Sequence, residues 1–236
     1  MSLKDWIQES NNIVFFGGAG VSTESGIPDF RSESGIFKSL KKYGDTPERL
    51  VSHRYYLEHT DKFFSYYKDC LIFPEAKPNP AHYTLARLEK EGKLKVIITQ
   101  NIDGLHQKAG SKNVLELHGS VYRNYCEICK KEYNLDFILE SEGIPHCTCG
   151  GIIKPDVVLY EEALDMNILN KSAQYIMSAD TLIVGGTSLV VYPAAGLINY
   201  FKGKNLVLIN KSQTDYDNLA TLVINEAIGE TLAKIK

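Results

Sequence analysis

Residues 12–22 read NIVFFGGAGVS, an apolar run that ends on a glycine-rich turn. Ile13, Val14, Phe15 and Phe16 follow one another without polar alternation, the mark of a strand covered on both faces in a parallel sheet. Gly17, Gly18 and Gly20 let the backbone turn tightly and approach a diphosphate, whose charge would be met by N–H groups at a following helix start. The fingerprint is incomplete. Thr23 stands where the usual dinucleotide motif has its third glycine, and no second strand about 20 residues later ends in an acidic ribose anchor. An ordinary dehydrogenase is therefore not expected. On glycine spacing alone, nucleotide binding and a plain tight turn both stay open.

Further buried-strand patterns lie at residues 95–99, 181–184, 205–209 and 221–224. Helical spacing occupies 3–10, 81–91, 167–178 and 194–201, so strands and helices alternate as in a doubly wound α/β sheet. Two stretches break the alternation. Residues 32–74 turn from polar to helical and aromatic, with Tyr55, Tyr56, Phe63, Phe64, Tyr66 and Tyr67 forming a stripe whose reading is packing. Residues 121–154 hold four of the five cysteines.

Those four carry a metal signal by themselves. Cys126 and Cys129 have two residues between them, Cys147 and Cys149 one, and four thiolates give zinc a closed tetrahedral shell. A closed shell leaves no position for water, so the expected Zn2+, one per chain, is structural. The shorter second spacing keeps His146 open as a substitute ligand, while Gly150 and Gly151 suit the turn such a knuckle needs. Cys70 reads as a buried helix residue. Clustered cysteines suit metal in a reducing compartment better than a disulfide scaffold, so the expected location is cytoplasmic. The first residues show no secretory pattern, and no apolar run approaches the ~18 residues of a membrane span. A net charge of −3 gives no global reason to bind nucleic acid or membrane.

Longer motifs decide the glycine question. Residues 17–32 read GGAGVSTESGIPDFRS and residues 99–110 read TQNIDGLHQKAG. After these come LHGS at 117–120, the cysteines, KPDVVLYEE at 154–162 and GTSL at 186–189. In order and spacing these resemble the sirtuin family, in its bacterial-type form of a small catalytic domain, from about residue 11 to residue 229. The resemblance implies one catalytic domain over residues 1–236. Its Rossmann-like large part would span about 1–31, 75–120 and 155–236. The small part would comprise a helical insert at about 32–74 and a zinc-ribbon module at 121–154. NAD and an acyl-lysine protein substrate would meet in the cleft between them.

Carried over residue by residue, the resemblance assigns Ala19 and Thr23 to the NAD phosphate and ribose region. Phe30 and Arg31 fall on a cofactor loop. Gln100 and Asn101 resemble a ribose-binding pair, Ile102 and Asp103 a nicotinamide pocket, and Thr187 and Ser188 phosphate contacts. Asn210 would reach the adenosine ribose, and Ile228 would lie near adenine. His118 is the implied general base, suited to proton acceptance near neutral pH. Nothing intrinsic distinguishes it from the other five histidines. His106 reads as structural, and His53, His59 and His82 as ordinary surface or helix residues. Val158, Leu159, Tyr160 and Glu161 resemble a strand edge that pairs with substrate backbone.

The implied reaction is NAD-dependent deacylation of protein lysine, yielding nicotinamide and O-acyl-ADP-ribose. No arginine lies between Arg54 and Arg87 to clamp an acidic acyl group, so neutral groups such as acetyl are expected. Two alternatives stand beside this reading: mono-ADP-ribosyl transfer at the same NAD site, and a non-catalytic zinc-ribbon module that senses NAD or binds nucleic acid.

Overall fold

The computed structural model describes residues 2–29 and 33–235. Six strands form one parallel sheet: β1 (Ile13–Gly17), β2 (Leu94–Thr99), β3 (Val114–Glu116), β7 (Thr181–Gly185), β8 (Asn205–Ile209) and β9 (Leu222–Ile224). Three others form an antiparallel sheet: β4 (Gly119–Cys126), β5 (Glu132–Tyr133) and β6 (Ile153–Val157).

The large sheet has the order β3-β2-β1-β7-β8-β9. Its lack of polar alternation has a direct cause, since both faces are covered. Ile13, Phe15, Ile97, Ile183 and Val207 pack on one side with helices Leu3–Glu9, Pro80–Lys90 and Ile228–Ala233. Val14, Phe16, Ile98, Leu182 and Leu208 pack on the other with helix Met166–Ser178 and the segment Ala194–Tyr200. Winding reverses between β1 and β7, and the carboxyl ends of those strands open the crevice where doubly wound sheets bind ligands. At this point the fold is Rossmann-like.

A third core joins the two stretches that broke the pattern. Tyr56, Phe63, Phe64, Tyr66 and Tyr67 are fully buried with Val121, Cys126, Ile138 and Ile153, so the aromatic stripe is packing. Phe63 and Tyr67 stack at 5.8 Å, and Tyr56 meets Phe63 edge-on at 5.1 Å.

Several expectations change. Residues 194–201 form a 3-10 helix, Ala194–Tyr200, in place of an α-helix. The glycine turn leads into two 3-10 turns, Ala19–Val21 and Thr23–Ser25, and no regular helix starts there. Ser22 N–H donates to Ala19 O and Val21 N–H to Gly18 O, so these donors are used within the turn. β3 was not foreseen: three residues against β2 are too few to show a period. His82 is a helix residue, as read, and is fully buried: its Nδ1 accepts the Asn79 N–H at the helix cap and its ring packs 4.8 Å from His106. Among the described residues no helix is long and apolar enough to cross a membrane.

Candidate active site and metal centre

A cavity of about 260 Å³ opens at the switch point. Its floor comes from three turns at the carboxyl ends of β1, β2 and β7. Ala19 and Ser22 follow β1, residues 100–103 follow β2, and Gly186, Thr187 and Ser188 follow β7. Gly186 has a positive φ of 60°, and a Cβ there would sit 2.4 Å from Val21 N. A Cβ on Gly20 would lie 2.7 Å from Gly186 Cα. The β1 and β7 turns therefore touch backbone to backbone.

A short hydrogen-bond chain crosses this floor. Ser22, 1% exposed, donates to Asp103 Oδ2 at 2.6 Å and accepts from Asn101 Nδ2 at 3.0 Å. Asp103 Oδ1 accepts the Leu105 N–H at 2.9 Å. Burial pushes the Asp103 carboxyl above its usual range, with the Ser22 and Leu105 bonds opposing that shift. Gln100 Nε2 donates to Thr187 Oγ1 at 3.2 Å, tying the β2 turn to the β7 turn.

His118 enters from the wall at the start of β4. Its Nδ1 lies 2.9 Å from the Gln100 carbonyl, which can only accept, so Nδ1 carries the proton and Nε2 is the basic nitrogen. The residue after it has to be glycine. Gly119 has a φ of 77°, and a Cβ there would lie 1.9 Å from the Asp156 carbonyl.

Residues 157–162 and 191–193 line the same cavity. Residues 158–161 follow β6 as a loop, not as a free strand edge. Val158 N–H donates to His118 O at 3.0 Å, Leu159 N–H to Glu162 Oε2 at 2.9 Å, and Tyr160 N–H to Val51 O at 3.0 Å. Tyr160 O accepts from His53 N–H at 2.9 Å. The N–H groups of Val158, Leu159 and Tyr160 are thus engaged within the chain. Against burial, which raises it, the Leu159 N–H, Lys154 and His53 hold the Glu162 carboxyl below its usual range.

Of the residues singled out in the sequence, Ala19, Gln100, Asn101, Ile102, Asp103, His118, Thr187, Ser188, Val158, Leu159, Tyr160 and Glu161 all line this one cavity. Thr23 does not: its hydroxyl donates to Gly20 O at 3.0 Å and closes the turn. Asn210 is also away from the wall, its Nδ2 on Ser212 O at 2.9 Å. Ile228, 3% exposed, is packed in the sheet core under Gly185. Phe30 and Arg31 lie outside the described residues. Sequence reasoning missed Ser22, although it sits inside a quoted motif, because its partners lie 79 and 81 residues away. Cys70 ends helix Thr60–Cys70, as read, but it is half-buried and lines the cavity with Leu71 and Phe73.

Far along the small sheet, the four cysteine sulfurs lie within 4.8 Å of one another. Cys126 and Cys149 Sγ are 3.4 Å apart and Cys129 and Cys147 Sγ 3.6 Å apart, too long for disulfides. Tetrahedral zinc with bonds near ~2.3 Å needs sulfurs roughly 3.8 Å apart, so this donor set fits a closed zinc shell. Tyr133 donates its hydroxyl to Cys147 Sγ at 3.0 Å. A Cβ on Gly151 would sit 2.7 Å from Cys126 Sγ, which explains a glycine there. His146 is exposed and outside the group.

Comparison with known proteins agrees with this geometry. Residues 18–193 match the Sir2 family. The NAD-dependent protein deacetylase of Clostridium perfringens is 65% identical over 235 residues, 99% of this chain and 96% of that protein. A Sir2 structure holding a p53 peptide and NAD+ superposes with a TM-score of 0.87 at 40% identity, covering 100% of this chain and 97% of that one. Another Sir2 structure, a histidine-to-alanine variant with deacetylated p53 peptide and 3'-O-acetyl ADP ribose, gives 0.87 at 41% identity over 97% and 93%.

Proposed function

The chain belongs to the Sir2 family, and from that membership we infer that it is an NAD-dependent protein deacetylase that releases nicotinamide and O-acetyl-ADP-ribose. The cavity suits the dinucleotide: glycine turns at the switch point leave room for a diphosphate, and amides, hydroxyls and one enclosed carboxyl line the deep end. When bound, NAD supplies a ribose carbon whose bond to the cationic nicotinamide ring is ready to break.

The chain's own residues divide the remaining work in our reading. The large part, about 1–31, 75–120 and 155–236, holds the dinucleotide. Ala19, Thr187 and Ser188 meet its phosphates. Gln100 and Asn101 orient the reacting ribose, with Thr23 shaping the turn beneath. Ile102 and Asp103 hold the nicotinamide amide, and Asn210 the adenosine ribose. His118 accepts a proton from a ribose hydroxyl at Nε2. The single observation that carries this role is the Nδ1 bond to Gln100 O, which fixes the basic nitrogen inside the same cavity as the Asn101–Ser22–Asp103 chain.

The acyl-lysine of a protein substrate enters between residues 157–162 and 191–193. Among the described residues no lysine or arginine lines the cavity, while Asp29, Asp103, Glu161 and Glu162 do. Lys68, the lysine of the Phe63–Cys70 stretch, donates to Gly143 O at 3.2 Å and to Ser141 O. An acidic acyl group would meet carboxylates, so acetyl and other neutral groups are favoured. The small part, about 32–74 and 121–154, is a scaffold in which Cys126, Cys129, Cys147 and Cys149 hold one structural Zn2+. The substrate is a cytoplasmic protein in this reading.

Incubating the protein with NAD and an acetyl-lysine peptide tests the function. Nicotinamide and deacetylated peptide should appear in equal amounts. Nicotinamide release with ADP-ribose attached to protein, and no freed lysine, would establish ADP-ribosyl transfer instead.

A further inference from the structure

Asn79 is 5% exposed and lies outside the cavity, yet its side-chain amide grips the turn that carries Ser22. One amide does two jobs. Its oxygen accepts the Ala81 N–H at 2.9 Å and caps helix Pro80–Lys90. Its nitrogen donates to Val21 O at 2.7 Å and to Ser25 Oγ at 3.1 Å, one on each side of Ser22. Ser22 O in turn accepts from both Ser25 N–H and Ile27 N–H, so the same turn launches residues 27–29 along the cavity wall. The cap is held by the Asn79 N–H bond to His82 Nδ1 at 3.2 Å.

We propose that Asn79 is a positioning residue for NAD, setting Ser22 and through it the Asn101–Ser22–Asp103 chain. This rests on the NAD reading of the cavity. The turn needs such a latch because it is two 3-10 turns with no regular helix to stiffen it. Only an amide supplies an acceptor for the helix and two hydrogens for the turn. Aspartate and serine cap helices about as well as asparagine. Aspartate brings no amide hydrogens, and its carboxylate would face the Val21 carbonyl.

The pair Asn79→Asp and Asn79→Ser therefore separates latching from capping. The wild type and both variants would be compared by melting temperature, NAD Kd by calorimetry, and steady-state kinetics with an acetyl-lysine peptide. We expect melting temperatures lowered by no more than several degrees for the two intrachain hydrogen bonds lost, an NAD Kd and KM raised about tenfold because Ser22 is no longer held in place, and a peptide KM changed less than about twofold. Should Asn79→Asp fold poorly, Asn79→Ser gives the same reading with a neutral side chain. A lower melting temperature with unchanged NAD Kd and KM in either folded variant would make Asn79 merely a helix cap and overturn the proposal. If the wild type bound NAD but released no nicotinamide, the deacetylase reading would fail, while the calorimetric comparison would still decide the role of Asn79.

Discussion

His118 and Gln100 come from different motifs, yet one hydrogen bond between them decides which imidazole nitrogen is basic. His118→Ala should leave the NAD Kd within about twofold and lower the rate of peptide deacetylation by roughly 10²–10⁴, the range for a lost general base. Calorimetry and peptide mass spectrometry would check the two halves, and an unchanged rate would move the proton elsewhere. At this scale the motif, not the residue, was legible. The other histidines separate only in three dimensions. His53 pairs with Glu162 at 2.8 Å, His59 packs 4.8 Å from Tyr55, His82 and His106 are buried, and His146 is exposed. Ser22 and Asn79 were illegible for the same reason. A short polar side chain gains its role from partners dozens of residues away, and no local pattern records them.

Elements were legible where their period was long or their spacing chemically demanding. The cysteine knuckle is the clearest case, because zinc needs a fixed number of thiolates and local turns between them. Cys147→Ser should lose most of the bound zinc and lower the melting temperature by roughly 10 °C, since metal binding is coupled to folding of the small part. Metal analysis that still found one zinc per chain would contradict the four-cysteine shell. The glycine turn was half legible. Its strand was clear from the apolar run, but the following 3-10 turns were not, because Ser22, Thr23 and Ser25 give no helical period and close the turn through their own backbone bonds. Residues 158–161 are extended only in part. VVLY reads as a strand; Tyr160 does form an isolated parallel bridge with Ser52 through its bonds to residues 51 and 53, and Glu161, with a φ of 76°, then turns the chain.

Across the whole molecule, both faces of the large sheet are covered, and this is what made β1, β2, β7 and β8 readable as unbroken apolar runs. Strand order was not written in those runs, since any of them could neighbour any other. The order β3-β2-β1-β7-β8-β9 places chain segments from either side of the cysteine stretch at one crevice. His118, Asp103 and Thr187 meet there because β2, β4 and β7 all end or begin at that edge. Dinucleotide and acyl-lysine thus share a single crevice in the proposed function. A crystal structure with NAD and an acetyl-lysine peptide bound measures it directly. We predict the diphosphate along the turns at 18–20 and 186–188, the acetyl group between residues 157–162 and 191–193, and the His118 imidazole against the ribose. A dinucleotide bound elsewhere, or an imidazole turned away from the ribose, would contradict the account.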